Sequence, residues 1–254
     1  MVNLNEFELP KADDWASLDD RLVAALKPFA PPVAISFRAA AEPGAPRLPD
    51  RAPPPNERGR TGQVPAGCVY WVHGAKQRVS TEPRDHANCS VGSYTHGLLS
   101  LEEASTKDDV GAVLASGWVS QEAVIGLPRL STAPAAIVYE PLRECTGEPD
   151  VVLVRIGALA LMSLHSAVPD LRIEGKPQCH IIALAKEQGL VAASVGCALS
   201  RARTGMKATE MTCAIPTPRL REVVGALEST VELDRAMARY AAADAQRFQA
   251  TGTQ

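Results

Sequence analysis

Apolar residues along this chain fall into helical periods and short β-branched runs, which together predict helices alternating with buried strands. Leu18, Leu22, Val23 and Leu26 recur at helical spacing behind the cap and early acids of Ser17-Leu18-Asp19-Asp20, and Lys27-Pro28 stops that helix. Residues 33–37 read as a short buried strand. Residues 101–118 carry apolar and charged positions at helical intervals up to Gly117 and are read as a scaffold helix. Residues 135–139 and 151–156 are short, β-branched and bounded by Pro134, Pro141, Pro149 and Gly157, as strands of a buried sheet are. Residues 158–167 then predict a helix with Met162 and Leu164 in the core. Residues 177–188 predict another, closed by Gly189. Strands are expected at 190–195 and 210–215, and from 218 a long helix that turns polar and alanine-rich. The expected fold is α/β (or α+β): a single compact domain over 1–254, a mixed β-sheet flanked by helices, with no internal repeat.

One stretch departs from this alternation. Residues 41–65 hold seven prolines and almost no large apolar side chain, which predicts an extended loop. The 254 residues are 46% hydrophobic, enough for a core without staples. A net charge of -3 and a pI near 6.0, with no dense Lys/Arg block, give no footprint for nucleic acid or an anionic membrane. The first residues have neither the basic nor the apolar part of a secretory signal, and no run approaches a membrane span, so a cytoplasmic location is expected.

In a reducing compartment, six cysteines point to buried hydrophobes, metal ligands or catalytic thiols before disulfides. None forms C-x-x-C or a zinc-finger register. Four have suggestive settings. Cys68 follows Gly67, Cys89 lies in Asn88-Cys89-Ser90-Val91-Gly92, Cys179 opens a helix, and Cys197 follows Gly196 at a strand end. Helix N-termini favour thiolates, and these four are expected to converge. Ordinary packing is the competing reading for any of them. His86-Ala87-Asn88-Cys89 also admits a Cys/His nucleophilic pair, whereas His73, His165 and His180 carry no signature. Dinucleotide, P-loop, nucleophile-elbow and H-E-x-x-H motifs are absent.

Two passages, GCVYWVHGAKQRVSTEPRDHANCSVGSYTHGL and CHIIALAKEQGLVAASVGCALSRARTGMKATEMTCAIP, are joined by PL...EPDVVLVRIG. In that order the chain resembles the domain-of-unknown-function family numbered 169, over roughly residues 33–227. The resemblance implies a fold and a cysteine set rather than a reaction. Its cysteines fall on Cys68, Cys89, Cys179 and Cys197, and its later polar positions on Arg201 and Glu210. Cys145 and Cys213 match nothing in the pattern, and His96 stands where a smaller or apolar residue is expected.

Four thiolates from four elements suit a 4Fe-4S cluster, with tetrahedral zinc as the alternative. If three bind, an open iron is a Lewis acid for cleaving a carbon-heteroatom bond in a small organic acid, as a dehydratase, lyase or hydrolytic dehalogenase does. The catalytic candidates are Arg201 as carboxylate clamp and Glu210 or His96 as proton carrier. Ser90, Tyr94 and Ser200 are the substrate-binding candidates. If four bind, the centre carries electrons, which requires an electron-transfer partner, or holds the fold. A metal-free small-molecule binder is the third reading, and homodimerisation stays open.

Overall fold

The computed structural model describes residues 13–41 and 66–251, so all of the proline-rich stretch but Ala41 lies outside the described residues. Seven strands form one sheet: β1 (Val33–Arg38), β2 (Val79–Thr81), β3 (Ala136–Pro141), β4 (Val151–Ile156), β5 (Arg172–Glu174), β6 (Ala192–Ser194) and β7 (Met211–Pro216). Their order is β2-β3-β1-β4-β7-β6-β5, and every neighbouring pair is antiparallel except β5 with β6. The expected mixed sheet flanked by helices is the fold observed.

Side chains alternate across the pleat and fill two cores. Val152, Val154 and Ile156 of β4, with Cys213 and Ile215 of β7, point to one face. That face is covered by α1 (Asp13–Leu26), α7 (Ala158–Ala167) and the start of α10 (Leu220–Thr251). Leu18, Leu22 and Leu26 of α1 meet Val223, Val224 and Leu227 of α10 there, and each buried aliphatic side chain contributes roughly 1.5–3 kcal/mol. Val151 and Leu153 of β4 and Ala214 of β7 point to the other face, against α2 (Gly67–Gly74) and α8 (His180–Gln188). Gly74 lets α2 sit directly on the sheet: a Cβ there would lie 2.7 Å from that of Tyr139.

Outside α2 and α8 lie shorter helices: α3 (Ser90–Thr95), α4 (Leu101–Ser105), α5 (Asp108–Ala115), α6 (Gln121–Ile125) and α9 (Ala198–Thr204). The single helix expected at 101–118 is two. A capping box between Ser100 and Glu103 starts α4, and Asp108 and Asp109 open α5 one turn later. No helix among the described residues is long and apolar enough to cross a membrane.

Candidate functional site

Four helices start beside one another on the second face, and each brings a cysteine. Cys68 is the second residue of α2, while Cys89, Cys179 and Cys197 immediately precede α3, α8 and α9. All four line one pocket. Burial pushes the Cys68 thiol up to about 12, with Cys89 adding to the rise. Burial and then Cys89 lift Cys179 well above the ordinary thiol value. Burial also lifts Cys197, against N–H groups of Ser200 and Leu199 that favour its thiolate. Burial thus favours the neutral thiol at Cys68, Cys179 and Cys197, and Cys89 is close enough to act on all three.

Among the described residues no three His, Cys, Asp or Glu side chains are grouped to hold a single metal ion. The remaining cysteines lie in the opposite core. Cys145 Sγ donates to Glu140 at 3.4 Å and to the Gly147 carbonyl at 3.2 Å, and Cys213 is wholly buried on β7.

Beside the sulfurs stand polar groups with spare hydrogen-bonding capacity. His96, 1% exposed, donates from Nδ1 to the Gly92 carbonyl at 2.7 Å, which leaves the lone pair on Nε2. That nitrogen is buried without a partner. Burial lowers the His96 pKa, partly offset by Gly92, so the ring is neutral at pH 7. Gln178 donates from Nε2 to Ser200 Oγ at 2.6 Å while its Oε1 has no partner. Arg203 donates from Nη2 to the Asn88 carbonyl at 3.0 Å, whereas Nη1 is buried and unpartnered. Burial works against that guanidinium's charge, and Cys89, Cys68 and Asp109 overcome it, so its pKa is raised. The indole Nε1 of Trp71 is likewise buried and free. The outer wall, from α5 to just beyond α6, is apolar: Val113, Trp118, Val119, Val124 and Leu127.

The structure thus brings together Cys68, Cys89, Cys179, Cys197, His96 and Ser200. The other candidates lie outside this lining. Arg201 clasps the Glu210 carbonyl through Nη1 at 2.8 Å and Nη2 at 2.7 Å, and also the Val195 carbonyl at 3.0 Å. Its guanidinium fills the space over Gly196, whose φ of +119° and 2.5 Å clearance to Arg201 Nη2 exclude a side chain. The carboxylate of Glu210 pairs with Arg155 at 2.5 Å. Ser90 is buried, its N–H bonded to Asp109, and Tyr94 is buried under the Arg129 guanidinium. His86 donates to Thr81 Oγ, which itself donates to the Ile137 carbonyl, making a satisfied core histidine.

Sequence reasoning missed Arg203, Gln178, Trp71 and the wall at 113–127. Only Gln178, adjacent to Cys179, carried a signal.

A chain with this sheet and cysteine set belongs to a defined family. The sequence model of the DUF169 family, described as uncharacterised ArCR, matches residues 21–226 and so takes in all four pocket cysteines. No curated protein and no solved structure matches the chain.

Proposed function

We propose that three of the cysteines Cys68, Cys89, Cys179 and Cys197 hold an iron-sulfur cluster of the 4Fe-4S type, and that the adjoining pocket binds a small organic acid whose carbon-heteroatom bond is cleaved in a reducing, cytoplasmic setting. The observation that carries this reading is the meeting of four thiols, from four separate helix starts, on one pocket. A cluster bound through three of them would supply an open iron as Lewis acid.

The chain's own groups supply the rest. Arg203 Nη1 is placed to take a substrate carboxylate by a charge-assisted bond, the task first assigned to Arg201. Gln178 Oε1 accepts from a hydroxyl or water. The neutral Nε2 of His96 takes a proton, and the apolar wall limits water. Participation of all four thiols favours a second reading, a closed cluster for electron transfer or structure.

Anaerobic purification separates these readings. Brown protein with about four irons and sulfide supports the cluster. Colourless zinc protein supports a structural site, and protein free of any metal overturns both.

A further inference from the structure

We infer that the pocket selects a carboxylic acid with an apolar body, of aryl or branched-alkyl type, over a hydroxylated acid. This refines the substrate of the proposed function and rests on that reading for its chemistry, but binding is measured without the cluster. The polar and apolar parts of the lining come from different elements. Trp71 on α2, His96 after α3, Gln178 before α8 and Arg203 on α9 each present one buried, unpartnered polar atom. Trp71, His96 and Gln178 are no more than 1% exposed, so these atoms gain a partner only from something inside the pocket. Among the described residues, Arg203 is the one charged residue of the lining.

In the same lining, Val113, Trp118, Val119, Val124 and Leu127 offer no side-chain acceptor. Hydroxyls carried along that wall would lose water with nothing in exchange, whereas an apolar body loses nothing. The Lys176 ammonium, two residues from Gln178, sits 4.3 Å from the Trp118 ring centroid and ties that wall residue to the segment that carries Gln178. A ligand fitting both parts has one anionic head and an apolar remainder.

Intrinsic fluorescence reads this directly. Trp71 and Trp118 line the pocket, and Trp15 lies in the opposite core. The full-length protein, both anaerobically isolated and chelator-treated, is titrated with benzoate, benzamide and tartrate. Benzoate is expected to give a saturable change, benzamide to bind about tenfold more weakly, and tartrate to give none. Arg203→Gln should weaken benzoate about tenfold, with Arg203→Lys between it and wild type. Val113→Glu, at a half-buried wall position, should weaken it comparably by placing an anion beside the ligand. Thermal melts check folding, and if Arg203→Gln does not fold, Val113→Glu and the ligand series decide. Benzamide equal to benzoate, tartrate binding more tightly than benzoate, or benzoate unaffected by Val113→Glu overturns the inference. Benzoate binding in a chain that never holds iron removes the cluster and keeps the pocket. An iron-loaded chain blind to benzoate does the reverse.

Discussion

Under α1, α7 and α10, Cys145 and Cys213 sit apart among aliphatic side chains, one sharing its thiol proton with Glu140 and Gly147, the other simply filling a site on β7. Under α2 and α8, four cysteines sit where helices begin, beside a charge and four polar atoms without partners. Both faces bury cysteine, so burial alone says nothing of function. What differs is whether the surroundings complete the polar groups. On the first face Cys145 has partners and Cys213 lies among aliphatic side chains, whereas the second leaves four polar atoms around its thiols without partners.

The largest test of that difference is replacement of each cysteine by serine. Iron per chain and visible absorbance should disappear for at least three of Cys68, Cys89, Cys179 and Cys197, loss at all four marking the closed cluster, and persist for Cys145 and Cys213. Equal loss at all six would erase the distinction. Next, Leu164→Ala on α7 should cost about 2–5 kcal/mol in denaturant melts while iron content and benzoate binding stay as they were. A parallel fall in iron would mean that the faces are not independent.

The faces should also answer pH in opposite directions. Burial holds His86 well below its ordinary pKa of 6.5, with His96 adding to the effect, and it holds His96 low as well. The unfolded chain takes up these protons first, so this contribution is intact above about pH 6.5 and is lost as pH falls through the depressed values. His86→Asn should cost about 1–3 kcal/mol at pH 7 and flatten the acid side of the stability profile. Burial instead raises Asp19 on α1 to about 6 from 3.8, Arg143 opposing, and its Oδ1 has no partner. Its contribution is therefore present below about pH 4 and lost as pH rises through 6. Asp19→Asn should add on the order of 1 kcal/mol at pH 8 and nothing below pH 4. A gain that did not depend on pH would show that packing, not charge, is responsible.

Strong local signals were legible in the chain. The helix at 158–167 and the strand at 151–156 stand where their patterns put them, because each spans enough turns or pleats to show a period. The strands β2 and β5, three residues each, are too short for that. The gathering of Cys68, Cys89, Cys179 and Cys197 followed from their settings and the family pattern. The pocket's guanidinium did not, since residues 201 and 203 lie about 200° apart on a helix and only the packing of α9 decides which faces inward. The part of the wall at 113–118 read as scaffold because a valine lining a cavity and a valine in a core look alike in sequence.

The four sulfurs are spread from Cys68 to Cys197, one in each of four separate connections of the sheet. A zinc finger can capture its ion on a short hairpin while the rest of the chain is still being made. Here the donors come from well-separated parts of the chain, and only the assembled sheet and its helices bring them to one pocket. An inorganic group proposed here would find its ligands together only where these elements have met, so the route by which it enters matters as much as the residues that keep it.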